Sequence, residues 1–481
     1  MKKNHLLVVH TLMGLFLMFI FGHIVPPIYP ITPLGMQIVG VFLGLIWLWC
    51  FVGFLWPSLF GFAAFALTDF ATMGQIVSMS FGNNVVVLLL FSMILFGSPQ
   101  HVGATTYITR WFLTRKIFNH RPIVFSFVFI LATYALSLAV NVTPALVLMW
   151  SVLYGVLKDL KYEKGEKFTS LMIVGTFLGA ISGQATLPFS GSTLAILGTF
   201  TALSDYEIPV LPYMLMGLIM SLVVIAGYAL FMKVVCKSED LRKIAHVNSE
   251  MFSKEALAPM SLLQKANFLG MLVFVVLMLL PSFLPDGFIL TQWLDSLGAT
   301  GIAILLTGLM VLIRIDGKPL LDFSAVAAKS VNWDIWVMVA IALAVSNALT
   351  HESTGVVEWM ISAFEPILGG HSPLMFFIIM LLFGIVATSF ASAMVLSISL
   401  MPVLVVFGEQ AGANLPAVTT VFVLLVHYSI ILPSASVFAA MLWGNEAWIS
   451  GKDVFKYGLA IVAIATVVAV AMMMPLSLVL F

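Results

Sequence analysis

The chain has 481 residues, of which 62% are hydrophobic and only 9% are charged, and its 21 basic and 21 acidic residues balance to a formal net charge of zero. Soluble domains carry about a quarter of their residues as Asp, Glu, Lys and Arg, so this composition excludes a soluble fold. The two cysteines, Cys50 and Cys236, lie in or beside apolar stretches, which argues against a disulfide framework and against a zinc site.

With lipid as the solvent, each crossing helix needs about 20 mostly apolar residues, and the chain offers many such stretches. The first follows Lys2 and Lys3 without a clear small-residue cleavage site, so we expect a crossing helix and not a removable signal peptide. The predicted apolar segments, in chain order, are 5–23, 34–50, 52–68, 83–98, 122–140, 144–157, 168–204, 210–235, 266–285, 299–313, 335–350, 373–391, 394–408, 417–449 and 455–481.

Two pairs of these segments are separated by only a few residues, 122–140 from 144–157 and 373–391 from 394–408. Short joined pairs of this kind are typical of re-entrant hairpins, which enter and leave the membrane on the same side. Non-helical backbone at a hairpin tip is tolerated only where protein or a water-filled cavity covers it. We therefore predict hairpins at 122–157 and 373–408.

The distribution of charge supports both hairpins. With the N-terminus in the cytoplasm and both pairs treated as hairpins, all 21 Lys and Arg fall on one face, in segments 1–4, 110–121, 158–167, 233–265, 314–329 and 452–456. The loops on the other face carry acids, namely Asp69, Asp205, Glu207, Asp286, Asp295, Glu352, Glu358, Glu365 and Glu409. Because cytoplasmic loops are enriched in Lys and Arg, we predict a multi-pass protein of the inner (cell) membrane with a cytoplasmic N-terminus and an external C-terminus.

The order of elements is also repeated along the chain. Gly103 and Gly355 precede the two hairpins and lie 355 − 103 = 252 residues apart, and the hairpin tips Asn141 and Ala393 have the same separation, 393 − 141 = 252. The hairpins open to opposite sides, and inverted repeats with broken helices are a hallmark of secondary transporters. We predict an all-α polytopic membrane protein with two inverted repeats, and we place the N-terminal repeat at 1–236, a cytoplasmic linker at 237–265 and the C-terminal repeat at 266–481.

The hairpin tips are candidate anion sites. No Lys or Arg lies deep within a predicted span, so helix N-termini, hydroxyls and amides remain to hold an anion. At the first tip, Thr143 can cap the returning helix and Pro144 suits its first turn. Ser389 and Ser392 stand at the equivalent turn of the second hairpin. The alternative for each tip is a polar turn that only satisfies backbone groups.

Two further segments interrupt apolar runs with polar residues, within the predicted broken helices 168–204 and 417–449. Segment 179–193 contains Gly, Pro and several Ser, Thr and Gln, and Pro433-Ser-Ala-Ser436 interrupts the second run. Unwound backbone there would supply carbonyls for a cation and N–H groups for an anion. The alternative is a kinked helix whose hydroxyls bond back to the preceding turn. The candidate binding residues of the two breaks are Ser190, Ser192, Thr193, Ser434 and Ser436.

One histidine, His427, lies in an apolar run just ahead of the break at Pro433. An ionisable group inside a membrane is a functional candidate by default, and His takes up a proton near neutral pH. His427 is therefore a candidate for proton coupling. The alternative is a neutral His that shares a hydrogen bond between packed helices.

This order of elements resembles the divalent anion/sodium symporters, which carry dicarboxylates, citrate, tartrate or sulfate. That family has a Ser-Asn-Thr motif at each tip, and breaks of the form Gly-Gly-x-x-Thr-x-x-Gly-Ser/Thr-Pro-Pro-Asn and Pro-x-x-Thr-Pro-Pro-Asn. Here Ile181-Ser-Gly-Gln-Ala-Thr-Leu-Pro-Phe-Ser190 is similar to the first break and Leu432-Pro-Ser-Ala-Ser436 to the second. Segment 443–458 resembles the family's closing stretch, so the chain looks like a divergent member over nearly its whole length.

The resemblance implies which tip residues bind substrate and sodium. It carries a sodium and substrate role to Asn141 and a substrate role to Ser392, with Ser190 and Ser389 as further candidate sodium ligands. The tip residues that would line the substrate pocket are Asn141, Val142, Thr143, Ser392, Ala393 and Met394.

The tips also depart from the family motif, since the first keeps only its Asn and the second only its Ser. Cages of oxygen ligands hold sodium, and Ala393 and Met394 offer no side-chain oxygen, which puts the second sodium site in doubt. Val142 and Met394 make the predicted pocket less polar, which favours an anion with fewer charges or a larger apolar part.

These observations predict a secondary active transporter of a small organic anion of the di- or tricarboxylate class, coupled to sodium. The alternative is a sodium-independent anion exchanger or a proton-coupled carrier. An enzyme is less favoured because the predicted midplane has no carboxylates, Ser/Lys pair or His cluster, and a channel does not need two opposed hairpins. The resemblance also implies an elevator mechanism and a homodimer in the lipid bilayer. No cofactor other than Na⁺ as coupling ion, and no nucleic-acid partner, is expected.

Overall fold

The computed structural model describes residues 2–104, 107, 120–204, 206–246, 259–285 and 287–481. Its helices, in chain order, are α1 (Lys2–Phe16), α2 (Gly22–Ile24), α3 (Pro33–Phe51), α4 (Leu55–Ala66), α5 (Met73–Phe81), α6 (Asn84–His101), α7 (Pro122–Ala139), α8 (Val142–Asp159), α9 (Lys167–Thr186), α10 (Gly191–Leu203), α11 (Val210–Val235), α12 (Ser238–Leu241), α13 (Leu262–Leu279), α14 (Ile289–Leu312), α15 (Phe323–Ser330), α16 (Trp333–Leu349), α17 (Val356–Leu368), α18 (Pro373–Phe390), α19 (Ala393–Gln410), α20 (Leu415–Val426), α21 (Val437–Trp443), α22 (Gly451–Val468) and α23 (Met474–Leu480). Between α14 and α15 the chain forms one antiparallel pair of short strands, β1 (Arg314–Ile315) and β2 (Lys318–Pro319).

Some residues on which the charge pattern depends lie outside the described residues, as does the middle of the predicted linker. They are Arg110, Arg115, Lys116, Asp205, Lys254 and Asp286.

Twelve helical stretches among the described residues are long and apolar enough to cross a membrane, the four hairpin arms included. The chain is thus an all-helical multi-pass membrane protein, as its composition predicts. Helix α9 is buried from Phe168 to Thr186, whereas the first stretch, α1 to α2, is mostly exposed on the surface. Helices that carry Ser, Thr and Gln therefore occupy the centre, and the most apolar ones form the outer, lipid-compatible shell.

The two predicted hairpins are pairs of helices with very short links. Val140 and Asn141 join α7 to α8, and Ala391 and Ser392 join α18 to α19. Pro373 is the first residue of α18, where its missing N–H is not needed, and the preceding Ser372 side chain accepts a hydrogen bond from Met375 N. In each pair the two helices pack against each other.

The two predicted breaks are also present as interruptions of helices. Residues 187–190 separate α9 from α10, and Pro188 within this segment cannot donate a backbone hydrogen bond to continue the helix. Residues 427–436 separate α20 from α21 and include a single 3-10 turn, Pro433–Ala435.

The helices pack as two groups. The hairpin group consists of α7 to α11 and α18 to α23, and the flanking group consists of α1 to α6 and α13 to α17. The groups meet mainly where α10 packs on α6 and α16, and where α19 packs on α3, α16 and α17. Each hairpin therefore packs with the broken helices, and the flanking helices form a separate layer.

The flanking group contains a sharp bend that the sequence did not indicate. Helices α15 and α16 are joined by Val331 and Asn332 and meet at 76°. We call residues 329–334 the elbow. Asn332 caps α16 by accepting a hydrogen bond from Ile335 N at 3.2 Å. The elbow lies against α6 at Gly97, where an added Cβ would come within 3.0 Å of the side chain of Ser330.

A polar clasp fixes the beginning of the linker after α11. Lys167 Nζ lies 3.1 Å from Asp240 Oδ2, and Tyr162 OH donates to the backbone carbonyl of Asp240 at 2.8 Å. Desolvation raises the pKa of the Asp240 carboxyl, but the hydrogen bond from Lys237 N and the contact with Lys167 outweigh it. The net result is a pKa below the ordinary Asp value, so Asp240 is a charged anchor.

Candidate functional site

The first hairpin tip is an extended turn centred on Asn141. Its backbone is extended, with φ −151° and ψ 164°, and its Oδ1 accepts a hydrogen bond from Val142 N at 2.7 Å. Asn141 therefore caps α8, and the expectation that Thr143 is the cap is wrong, because α8 already begins at Val142. Thr143 is exposed and makes no hydrogen bond with the described residues, so its hydroxyl is available. The Nδ2 amide group of Asn141 likewise makes no hydrogen bond with the described residues, so it can donate to a ligand.

The first break is held by a compact set of hydrogen bonds. Ser190 Oγ lies 2.8 Å from the carbonyl of Gln184 and 2.9 Å from Thr193 Oγ1, and Gln184 Nε2 donates to Ser192 Oγ at 2.9 Å. These contacts satisfy backbone and side-chain groups that the interruption of the helix leaves without partners. The break is therefore a fixed structure in which Gln184, a residue that the sequence did not single out, has a central position.

His427 joins the first break to the end of α20. Its Nδ1 lies 2.7 Å from the carbonyl of Val423, and its Nε2 lies 3.1 Å from Thr193 Oγ1 and 3.3 Å from Ser192 Oγ. Because a carbonyl only accepts hydrogen bonds, Nδ1 carries the proton in this arrangement. Nε2 then faces two hydroxyls, each of which can donate to it or accept from it. His427 is half-buried and lies at the start of the second break.

A network of buried hydroxyls lies next to the first break and holds it in place. Thr186 Oγ1 donates to the carbonyl of Ser182 at 2.9 Å and lies 3.2 Å from Tyr134 OH and 3.1 Å from Ser221 Oγ. Ser182 Oγ lies 3.2 Å from Tyr428 OH. These contacts tie α7, α9 and α11 to one another and to the start of the second break, so the first break keeps its place relative to the first hairpin.

A cavity of about 1000 Å³ lies between the first tip, the first break, α6 and the elbow. Its volume is at the upper end of the range for small-molecule sites. It is lined by amides and hydroxyls from the hairpin group and by the elbow of the flanking group, so it lies at the boundary between the two. The polar residues of its lining include Gln100, Asn141, Thr143, Gln184, Ser190, Lys329 and Asp334.

The lining holds two charged residues, Lys329 and Asp334, both exposed. Neither makes a salt bridge within the part of the chain that the structure describes. Asp334 lies in the first turn of α16, where the helix dipole favours a negative charge. Lys329 was not predicted as a site residue because it falls in a predicted loop. Only the bend between α15 and α16 brings it to the cavity.

The predicted site residues therefore lie in three parts of the structure. Asn141, Val142, Thr143 and Ser190 line the cavity, whereas Ser192 and Thr193 are turned towards His427. The residues of the second tip and second break do not line it; they are Ser389, Ser392, Ala393, Met394, Ser434 and Ser436.

The second tip and the second break contact each other. Ser434 Oγ donates to the carbonyl of Phe390 at 2.8 Å, and Ser436 caps α21 by accepting from Ala439 N at 3.0 Å. Ser389 Oγ donates to the carbonyl of Ile385 at 2.6 Å, within α18. Each hydroxyl thus bonds to the backbone, and the bond from Ser434 joins the second break to the end of α18. Of the three candidate sodium ligands, Asn141 and Ser190 share one cavity and Ser389 lies apart from them.

The chain is similar to known proteins in sequence and in fold. The family model described as citrate transporter matches residues 42–427 of the chain. No curated protein matches the chain at a significant level. The match confirms the resemblance drawn from the motifs, in which citrate is one of the carried anions.

Two solved structures have a similar fold. The YdaH transporter of Alcanivorax borkumensis, whose topology is described as unusual, is 14% identical with a TM-score of 0.56, over 83% of this chain and 87% of that one. MtrF of Neisseria gonorrhoeae, described with a class of antimetabolite efflux pumps, is 15% identical with a TM-score of 0.55, over 98% of this chain and 94% of that one. At these identities the likeness concerns the fold.

Proposed function

This chain belongs to the citrate transporter family, and on that basis we propose that it is a secondary active transporter of a small organic anion of the di- or tricarboxylate class. The observation that carries the proposal is the cavity of about 1000 Å³ at the first tip and first break. Its wall presents the amide of Asn141, the hydroxyl of Thr143 and the ammonium of Lys329, which are all hydrogen-bond donors to a carboxylate. The cavity is wide enough for such an anion with part of its water.

The carboxylate is bound at the first tip. Asn141 Oδ1 is occupied by Val142 N, which fixes the amide so that its Nδ2 remains free to donate. A donor that is held in place before the ligand arrives loses less entropy on binding, which favours affinity. The start of α8 adds the positive end of a helix dipole at the same point.

We further propose that transport follows the elevator mode with two inverted repeats. In this mode the hairpin group slides against the flanking group and carries the bound anion with it. Two features support the idea: hairpins and broken helices pack with one another, and the cavity lies at the boundary of the two groups. Sliding at that boundary would close the cavity on one side of the membrane.

Coupling to sodium is the first candidate for the driving force, and Asn141 and Ser190 supply the oxygens nearest to the substrate. A sodium-independent exchanger or proton-coupled carrier is the second candidate. It is favoured by Ala393 and Met394, which offer no side-chain oxygen at the second tip, and by His427, whose Nε2 lies within hydrogen-bond distance of Thr193 and Ser192 in the first break.

Uptake of labelled citrate and succinate into proteoliposomes tests the proposal. Three conditions separate the driving forces: an inward sodium gradient, an inward proton gradient, and unlabelled internal anion without any gradient. Saturable uptake under one condition is expected and identifies the coupling. Flux that rises linearly with concentration would indicate a channel, and the absence of uptake of either anion under all three conditions would contradict the proposed substrate class.

A further inference from the structure

The cavity receives donors from the flanking group as well as from the hairpin group. On the flanking side these are Lys329, in the last turn of α15, and Gln100, near the end of α6. Both side chains are exposed, and neither makes a hydrogen bond or ion pair within the described ranges 2–104, 107, 120–204, 206–246, 259–285 and 287–481. The proposed transport uses Lys329 only as one donor of the cavity wall and gives Gln100 no role.

The backbone that carries Lys329 is rigidly placed. Val326 and Val331, on either side of it, are 1% and 7% exposed and pack into the core. Gly97 on α6 allows Ser330 to lie directly against the helix, so the elbow sits on α6 without a gap. The Lys329 side chain therefore lines the cavity from a fixed backbone position. The contact of the elbow with α6 is at Gly97, three residues before Gln100.

We propose that Lys329 and Gln100 form a carboxylate subsite on the flanking group, which binds one carboxylate of the transported anion while another is bound at the first tip. The subsite rests on the proposed anion transport. An anion with two or more carboxylates then spans the boundary between the two groups of helices, and a monocarboxylate fills only one end of the cavity. The subsite thus selects for polycarboxylates.

The charges around the subsite favour an anion. The lining carries one positive charge, Lys329, and one negative charge, Asp334. The positive end of the α16 dipole offsets part of the charge of Asp334, so Lys329 is left as the cation that attracts an anion. Lysine is a strongly hydrated point charge on a flexible stem, which can follow a ligand over a short distance. Because the site is open to water, the attraction is modest and falls with added salt.

The subsite has a kinetic consequence. If the hairpin group moves and the flanking group stays, a carboxylate held by Lys329 must be released before the anion is carried across. An interaction that exists only in this state lowers the concentration needed for half-maximal uptake and does not speed the crossing. Removing it therefore raises the half-saturating concentration and leaves the maximal rate unchanged or higher.

The test is the kinetics of labelled citrate uptake by the full chain in proteoliposomes. Lys329→Gln should raise the half-saturating concentration about five-fold, the magnitude of an exposed ion pair, with no fall in maximal rate. Lys329→Arg, which keeps the positive charge, should have the half-saturating concentration of the parent. Unlabelled succinate should lose potency as a competitor in Lys329→Gln, and lactate, with one carboxylate, should compete weakly and equally in both proteins.

The matched control is Lys318→Gln, which removes an equally exposed lysine from β2, away from the cavity. A Lys329→Gln protein that behaves as Lys318→Gln does, or that loses maximal rate without a change in half-saturation, overturns the subsite. If the unmodified chain takes up neither citrate nor succinate, the proposed function itself fails. The two failures are therefore distinguishable.

Discussion

Replacement of Gly97 by Ala tests whether the elbow must lie directly on α6. A Cβ at this position would come within 3.0 Å of both Cβ and Oγ of Ser330, and would lie 3.5 Å from Val326 Cγ1. Carbon atoms pack best at about 3.5 to 4.0 Å, so the elbow must move outward by about 1 Å or more. Overpacking of this kind costs about 1 to 3 kcal/mol, and it also displaces Lys329 from the cavity.

The assay is thermal unfolding in detergent together with citrate uptake. Ala is a better helix former than Gly by up to about 1 kcal/mol, so a control must share that gain. Gly155→Ala is this control, because Gly155 is exposed in α8 and nothing lies within 4 Å of the added Cβ. Gly97→Ala should be less stable than Gly155→Ala and should bind citrate more weakly.

A second substitution locates the cause. Ser330→Gly removes both atoms that the new Cβ would meet, so it should return part of the stability that Gly97→Ala loses. A double-mutant cycle measures this coupling apart from the cost of Ser330→Gly alone. Equal stability and uptake in Gly97→Ala and Gly155→Ala, or no coupling between the two sites, would refute the close contact of elbow and helix.

Three further predictions follow from other contacts. Asn141→Ala should raise the half-saturating concentration at least about ten-fold, as expected when a hydrogen bond to a charged carboxylate is lost, and uptake like the parent's would remove the first tip from the site. His427→Gln should keep sodium-driven uptake, because a Gln side chain can also bond to the hydroxyls of Ser192 and Thr193; loss of uptake driven by a proton gradient alone would favour the proton-coupled carrier. Asp240→Asn should lower the melting temperature slightly at neutral pH, because the folded-state pKa of Asp240 is depressed and its stabilisation is present above the unfolded-state pKa. The difference from the parent should close as pH falls through the folded-state pKa, and a difference that persists in acid would contradict the anchoring role of the ion pair with Lys167.

The closely linked helix pairs and the interruptions of helices could be predicted from local signals. A proline at the start of a long apolar run, followed by a short polar link, indicates a helix pair, and α18 with its Ser372 cap follows this rule. The break at Pro188 is likewise a direct effect of a residue without an N–H. Such features depend on neighbours in the sequence, so the sequence is sufficient to locate them.

The elbow and the bridge at His427 could not be predicted in this way. Helix α15 has only eight residues and mixed polarity, so its segment resembles a loop. The hydrogen bond between His427 and Thr193 joins residues 234 positions apart, and no local pattern specifies it. Lys329 acquires a place in the cavity only through the angle between two helices, which depends on packing against Gly97.

The stretch from α9 to α10, which is buried over most of its length, also has a consequence for biogenesis. Its Ser, Thr and Gln side chains cannot remain in contact with lipid at low cost, because unsatisfied polar groups in hydrocarbon are expensive. Part of its cover comes from α16, α19 and α22, which leave the ribosome long after it. During synthesis the stretch must wait in water, at the translocation machinery or against a temporary partner until those helices are inserted. A chain cut short before α22 would expose polar side chains of this centre to the bilayer. We expect such a chain to be recognised as misfolded by the cell's membrane quality control.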